Sequence, residues 1–104
     1  MTVAEISARI DRKETALRAV AAASASVIAA KTDLEFIKTR LTLAGLEGTN
    51  DKQRHADLTA KTESERDGLA LAEKQLRDAQ LELDLADLHV QEATMLLRVQ
   101  SGNA

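Results

Sequence analysis

Large apolar residues and alanines alternate along the last third of the chain at the spacing of a coiled coil. Between residues 69 and 97, steps of three and four residues separate the apolar positions, which places them all on one face of a helix. The small alanine layer allows a neighbouring helix to approach closely. The pattern predicts an intrachain seam that consists of Leu69, Ala72, Leu76, Ala79, Leu83, Ala86, Val90, Ala93 and Leu97.

A second apolar stripe lies on nearly the opposite face of the same predicted helix. One antiparallel neighbour cannot cover both stripes, and several exposed large aliphatic side chains would form a substantial apolar patch. The stripe therefore predicts a self-association or partner interface, most simply with a second copy of the chain in a homodimeric helical bundle. The residues of this interface are Leu81, Leu85, Leu88, Met95, Leu96 and Val99.

A continuous apolar stripe in the first part of the chain predicts one helix over residues 3–44. Thr2 and Glu5 have the spacing of a capping box at its start. Gly45 follows the last periodic residue, as glycine commonly does at a helix C-terminus. Residues 45–50 are therefore predicted to form the turn of a long antiparallel helical hairpin with coiled-coil-like packing.

The second arm of the hairpin is predicted to open with a short helix over residues 51–61, with Asn50 or Thr49 as its N-cap. A second capping-box pattern, TESE, predicts a break or kink within residues 61–68. A new helix is expected over residues 63–100. The whole chain of 104 residues is interpreted as a single all-α domain.

Composition agrees with a helical chain, since proline and cysteine are absent and Phe36 is the single aromatic residue. The absence of cysteine excludes disulfides and thiolate metal sites, and it is compatible with a reducing cytoplasm. No secretory signal is visible at the N-terminus, and the longest uncharged run, residues 19–30, is too short to span a bilayer. We therefore expect a cytoplasmic protein with no membrane contact.

Charge is distributed unevenly along the chain. The net charge of −3 argues against a general nucleic-acid binder, so nucleic acid is not an expected partner. Residues 1–44 hold seven basic and five acidic residues, whereas residues 63–92 hold three basic and nine acidic residues. Two interpretations remain open: the two regions attract each other when folded antiparallel, or both are solvated helix faces.

Candidate chemistry is sparse. His55 follows Asp51 by four residues and precedes Asp57 by two, a spacing that could offer two metal ligands but is more typical of a solvated helix. His89 borders the second stripe, where an interface-edge role is favoured over a pH-sensitive one. No catalytic motif occurs, and a thin hairpin cannot enclose a useful pocket. We predict a non-enzymatic protein with no catalytic residues, no metal site and no cofactor.

The predicted turn is the one polar candidate site. Gly48 and Asn50 precede a helix whose free N–H groups favour anions, and Lys52 and Arg54 follow closely. These four residues could form an anion-binding tip for a phosphate or a nucleic-acid backbone. A capped, solvated tip is the favoured alternative, because nearby acidic residues dilute the charge and no aromatic side chain can stack on bases.

The turn also carries a pattern that resembles a group of small helical-hairpin phage and prophage proteins. Those proteins have a Leu-Glu-Gly-x-Asn-x-x-x-Arg turn between two long helices, often accompany phage recombination or early genes, and mostly lack an assigned activity. A lysine is usual where this chain has Thr49, which weakens an anion-binding role. The matching residues are Leu46, Glu47, Gly48, Asn50 and Arg54.

This resemblance implies a phage-type protein that acts through protein–protein interaction as a structural or adaptor coiled coil. One alternative is a phage-encoded inhibitor of a host enzyme or anti-phage defence complex, using the acidic residues 63–92. Another is a DNA-recombination accessory protein that uses the tip. The expected partners are a second copy of the chain and a host or phage protein, in the host cytoplasm if the protein is phage-encoded.

Overall fold

Three α-helices account for nearly all of residues 1–102, the part of the chain that the computed structural model describes. α1 spans Val3–Ala44, α2 spans Asp51–Lys61 and α3 spans Glu63–Gly102. No strand occurs within these residues, so the prediction of an all-helical chain is confirmed. The last helix continues two residues beyond the predicted end at residue 100.

The predicted capping box starts α1. The Thr2 backbone N–H donates to Glu5 Oε2 at 3.2 Å, and the Glu5 backbone N–H donates to Thr2 Oγ1 at 3.1 Å. Each residue thus satisfies a backbone donor that the first turn of a helix leaves without an intrahelical partner. The position of the first helix follows from these two side chains.

Two glycines and one asparagine shape the connection between α1 and α2. Gly45 has a φ of +93°, and its N–H donates to Thr42 O at 3.3 Å, which ends α1. Gly48 has a φ of +132°, and a Cβ added there would lie 2.7 Å from Gln53 Cβ, so a larger residue would clash. Asn50 is the N-cap of α2, because its Oδ1 accepts the Gln53 N–H at 2.9 Å.

The predicted break in the second arm lies at Thr62, between α2 and α3. The second capping box is wrong in its role, because the Thr62 hydroxyl donates back to Leu58 O at 2.8 Å instead of capping α3. The Arg66 N–H still donates to Thr62 O at 2.9 Å, so backbone hydrogen bonds continue across the break. Thr62 therefore interrupts the helix only locally. It is 1% exposed, and its hydroxyl has a hydrogen-bond acceptor in the preceding turn.

Contacts divide the chain into two compact units. Unit 1 comprises Met1–Ala23 and Leu76–Ala104, and unit 2 comprises Ser24–Gln75. Residues 103 and 104 lie outside the described residues. The organisation of the chain as a single domain stays a prediction.

Alanines form the most deeply buried layer of unit 1. Ala16 of α1 and Ala86 and Ala93 of α3 are at most 3% exposed. The larger seam residues of this unit (Leu76, Leu83 and Val90) are half-buried with Ala79, whereas Leu97 is 39% exposed. Small residues at the contact bring two helices close together, so this core is thin.

Unit 2 has a core of the same kind. Val27 and Leu34 of α1 and Ala72 of α3 are buried, and Leu69 is half-buried. Leu69 and Ala72 are the two predicted seam residues that belong to this unit. Here the large side chains come mainly from α1 and the small one comes from α3.

The alanine layer makes unit 1 sensitive to an increase in side-chain volume. We expect Ala86→Leu to lower the free energy of unfolding by about 1–3 kcal/mol, because the added atoms must push the two helices apart. The matched control is Ala19→Leu, which makes the same exchange at an exposed alanine of α1 in the same unit. Urea unfolding followed by circular dichroism measures both. Equal stability of the two variants would contradict the tight alanine contact.

Candidate functional site

The outer face of α3 is an apolar surface within unit 1. We call the six predicted interface residues the outer face, and all six are between 40% and 65% exposed. The rest of the described chain covers them only in part. The outer face consists of Leu81, Leu85, Leu88, Met95, Leu96 and Val99.

The same helix buries its opposite side. Ala86 and Ala93 are 0% and 3% exposed, whereas Leu85 and Met95, one and two residues away in sequence, are 42% and 65% exposed. α3 therefore has two apolar faces, and one of them packs against α1 inside unit 1. Isolated exposed leucines are common on proteins, whereas a contiguous row of them makes this face a candidate interaction surface.

Three ion pairs join α1 to α3 in unit 1. Lys13 Nζ lies 2.7 Å from Asp87 Oδ1, Arg12 Nη2 lies 2.7 Å from Glu82 Oε1, and Arg9 Nη1 lies 3.5 Å from Glu92 Oε2. Arg9 pairs with Glu92 and Lys13, one turn further along α1, pairs with Asp87, further back along α3, so the two segments run antiparallel here. Of the two interpretations of the uneven charge, the contacts of unit 1 favour attraction between the basic and acidic regions.

His89 sits between two arginines at the edge of the outer face. Arg9 Nη1 donates to His89 O at 2.8 Å, and Arg12 Nη1 lies 2.8 Å from His89 Nδ1. Because a guanidinium can only donate, the imidazole Nδ1 is the acceptor of this contact. The ring is half-buried and held by this contact, and its role at the edge of an interface stays a prediction.

Residues of the candidate anion-binding tip hydrogen-bond to one another and to their neighbours in the turn. Gln53 Oε1 accepts from both the N–H and the hydroxyl of Thr49, at 2.7 and 2.8 Å, and Asn50 caps α2. Arg54 Nη2 is 2.6 Å from Asp51 Oδ1, so its charge is already paired. Gly48 and the exposed Lys52 remain as the other two tip residues. Several of the donors and charges that an anion would need therefore have partners within the tip.

Asp57 fastens the connecting loop to α2. Its Oδ2 accepts the Glu47 N–H at 3.0 Å and lies 3.0 Å from Lys61 Nζ. The hydrogen bond from Glu47, and then the one from Lys61, hold the pKa of the Asp57 carboxyl below its ordinary value. In unit 1, the hydrogen bond from Lys13 in the same way lowers the pKa of Asp87.

Potential metal ligands and cavities are the remaining features of the described residues. No group of three or more potential metal ligands occurs among residues 1–102, and Asp51 and Asp57 near His55 are each paired with a basic residue. In unit 1 a cavity of about 50 Å³ lies beside Ile6 and Val90, and a groove of about 380 Å³ lies beside Lys13 and Arg98. None of the helices in the described chain has the length and apolar content needed to cross a membrane.

Sequence reasoning placed the outer face and the tip but missed two features of the site. One is the contact of Arg9 and Arg12 with His89, which depends on the register between α1 and α3. The other is Ala16, whose burial at 3% the apolar stripe of α1 did not indicate, because the stripe was traced through larger residues. The steps from Val20 and Val27 back by four and by eleven residues could have identified it.

The tip can be tested with two single substitutions. We expect Arg54→Ala to lower the free energy of unfolding by about 0.2–0.5 kcal/mol, since it removes the exposed pair with Asp51. Lys52→Ala is the matched control on the same turn and should cost less. DNA affinity at low salt should be negligible in both and in the wild type, as measured by fluorescence anisotropy. Micromolar DNA binding that is lost in the Lys52→Glu, Arg54→Glu double variant would contradict this expectation.

Asp87 predicts an acid-dependent loss of stability. Its pKa is lower in the folded chain than in the unfolded one, so its contribution is present above about pH 4 and is lost as the pH falls through the lowered value. Thermal midpoints between pH 6 and pH 2 should therefore fall less steeply for Asp87→Asn than for the wild type. Asp11→Asn removes an exposed carboxylate of α1 in the same unit and keeps the Lys13–Asp87 pair as a control. Parallel acid curves for the wild type and Asp87→Asn would contradict the role of this pair.

Neither a protein-family model nor a curated protein nor a solved structure matches this chain. The geometry of the outer face and of the tip is therefore the basis of the functional argument that follows.

Proposed function

We propose that this chain is a non-enzymatic protein that acts through protein–protein contact, as a structural or adaptor coiled coil of the small phage-type kind. In this proposal the chain is a long antiparallel helical hairpin in the cytoplasm, and two copies associate into a helical bundle. The observation that carries the proposal is the outer face of α3, six apolar side chains that remain 40–65% exposed in the described chain.

The energetics of the outer face support association. Complete burial of a large aliphatic side chain stabilises by about 1.5–3 kcal/mol, so covering one that is already half-buried contributes about 1 kcal/mol. Six such side chains together give several kcal/mol, which opposes the loss of translational and rotational freedom on binding. A row of this kind is costly to leave in water, and a closed two-fold dimer is the simplest way to cover it.

The two alternative functions have less support from the contacts. An inhibitor that uses the acidic residues 63–92 would present free carboxylates, but Glu82, Asp87 and Glu92 are paired with α1. A DNA-recombination accessory that uses the tip would need available donors, and Arg54 is paired with Asp51. These ion pairs therefore favour a function through apolar contact over a function through electrostatic contact.

A double substitution on the outer face tests the proposal. We expect Leu85→Glu with Leu88→Glu to convert an associated wild type into a monomer of 11.2 kDa at tens of micromolar, because two carboxylates would be buried at the interface. Light scattering after size exclusion measures the mass. Helix content by circular dichroism should stay at the wild-type level, since both positions are exposed in the monomer.

The matched control introduces the same charges elsewhere. Ile28→Glu with Leu43→Glu alters two α1 side chains that are 65% and 82% exposed, and it should leave the mass at that of the wild type. A wild type that is monomeric at tens of micromolar, and that binds no partner protein through the outer face, would overturn the proposal.

A further inference from the structure

The polar residues among and beside the outer face restrict how a partner can lie on it. Leu81, Leu85, Leu88, Met95 and Val99 follow one another in steps of three and four when Glu92 is included, so they form a second heptad row on α3. Asp84 and Arg98 lie along one edge of this row, on either side of Gln91, and each is exposed. These edge residues favour one alignment when the rows of two copies of the chain pack on each other.

We propose that the partner on the outer face is a second copy of this chain, with the two α3 helices antiparallel and their two-fold axis at the level of residue 90. The inference rests on the proposed function, to which it adds the relative direction and the register of the two α3 helices. In this register Leu81 packs on Val99 of the second copy, and Leu85 packs on its Met95. Asp84 of each copy lies beside Arg98 of the other, and the two Gln91 side chains meet at the axis.

Apolar packing favours this register over its neighbours. In antiparallel coiled coils, a positions of one helix pack on d positions of the other, so allowed registers differ by whole heptads. The proposed register places Leu or Met on Leu, Met or Val in four layers. A shift of one heptad in either direction places Glu92 on Leu81 or on Met95 and leaves two such layers.

Like charges disfavour shifted antiparallel registers and the parallel arrangement of the two helices. A shift of one heptad toward the N-terminus brings Arg77 beside Arg98 of the second copy, and a shift of two brings Asp84 beside Asp84 and Glu82 beside Glu82. Parallel helices would place Glu92 on Glu92 in the middle of the row. Like charges at these distances are unfavourable, whereas the proposed register pairs Asp84 with Arg98 twice.

Glu92 is the one charged residue within the row, and the structure shows how it is accommodated. In the proposed register it faces Leu88 of the second copy. Its carboxylate lies 3.5 Å from Arg9 Nη1 of its own chain, and its side chain is 58% exposed. The apolar stem can therefore pack on Leu88 while the charged end stays at the edge beside Arg9.

Charge reversal tests the register by sedimentation equilibrium. Asp84→Arg and Arg98→Asp should each raise the dimer dissociation constant on the order of fivefold, because each converts two attractive edge contacts into repulsive ones. The double variant should restore the wild-type constant, since the two exchanged charges would again be complementary across the axis. Glu14→Arg and Arg18→Asp, exposed charge reversals on α1, are the matched controls and should change little.

Cysteine trapping tests the direction of the helices, and it is unambiguous because the chain has no cysteine of its own. Under oxidation, a mixture of Leu81→Cys and Val99→Cys chains should form the mixed disulfide far more than either disulfide with itself. Gln91→Cys alone should cross-link with itself. Self-cross-linking of Leu81→Cys would indicate parallel helices.

The outcomes separate the two proposals. One outcome is a wild-type dimer that Leu85→Glu with Leu88→Glu dissociates. If the charge variants then have no effect, or if Leu81→Cys links with itself, the register is wrong and the proposed function stands. A monomeric wild type that binds a different protein through the outer face overturns the choice of partner. A monomeric wild type with no partner at that face overturns both.

Discussion

The close contact of α1 and α3 through alanines is the constraint on which the rest of unit 1 depends. Ala16, Ala86 and Ala93 are almost fully buried, so the space between the two helices is filled by small side chains. The larger seam residues Leu76, Leu83 and Val90 are half-buried beside these alanines. The other large aliphatic residues of α3 fall on the opposite side of the helix by their spacing, so the inner contact cannot bury them.

Electrostatic contacts also join α1 to α3 in unit 1. Three ion pairs connect basic residues of α1 to acidic residues of α3, and Arg9 and Arg12 also hold His89. Individual exposed ion pairs contribute little to stability, because water and salt screen them. They occupy Glu82, Asp87 and Glu92 within the chain. In the proposed dimer, Asp84 and Arg98 are then the charges that distinguish one register from another.

Much of the fold follows from local sequence signals. Thr2 and Glu5 start α1 through their own side chains, Gly45 ends it, and Asn50 starts α2, so each boundary depends on residues within a few positions. The sequence predicts Thr62 as a cap of the last helix, but its hydroxyl donates to Leu58 O at 2.8 Å. Local patterns cannot distinguish between such competing hydrogen bonds.

The site was less accessible from the sequence because it depends on register. The heptad spacing showed that the outer face exists, since that information lies within a single helix. The pairing of Arg12 with Glu82 and His89 joins residues 70 and 77 positions apart, and no local pattern encodes which turn of α1 lies beside which turn of α3. The same reason applies to the tip, where the sequence showed both the bases and the acids but not which of them pair.

The central claim is that α3 packs one apolar face within the chain and, in the proposed dimer, packs the other against a second copy. Methyl NMR spectra of the wild type over a dilution series test it most directly. The account predicts that methyl shifts of Leu81, Leu85, Leu88, Met95 and Val99 change with concentration while those of Leu76, Leu83 and Val90 stay constant. Concentration-dependent shifts of the second group, or constant shifts throughout the series, would contradict it.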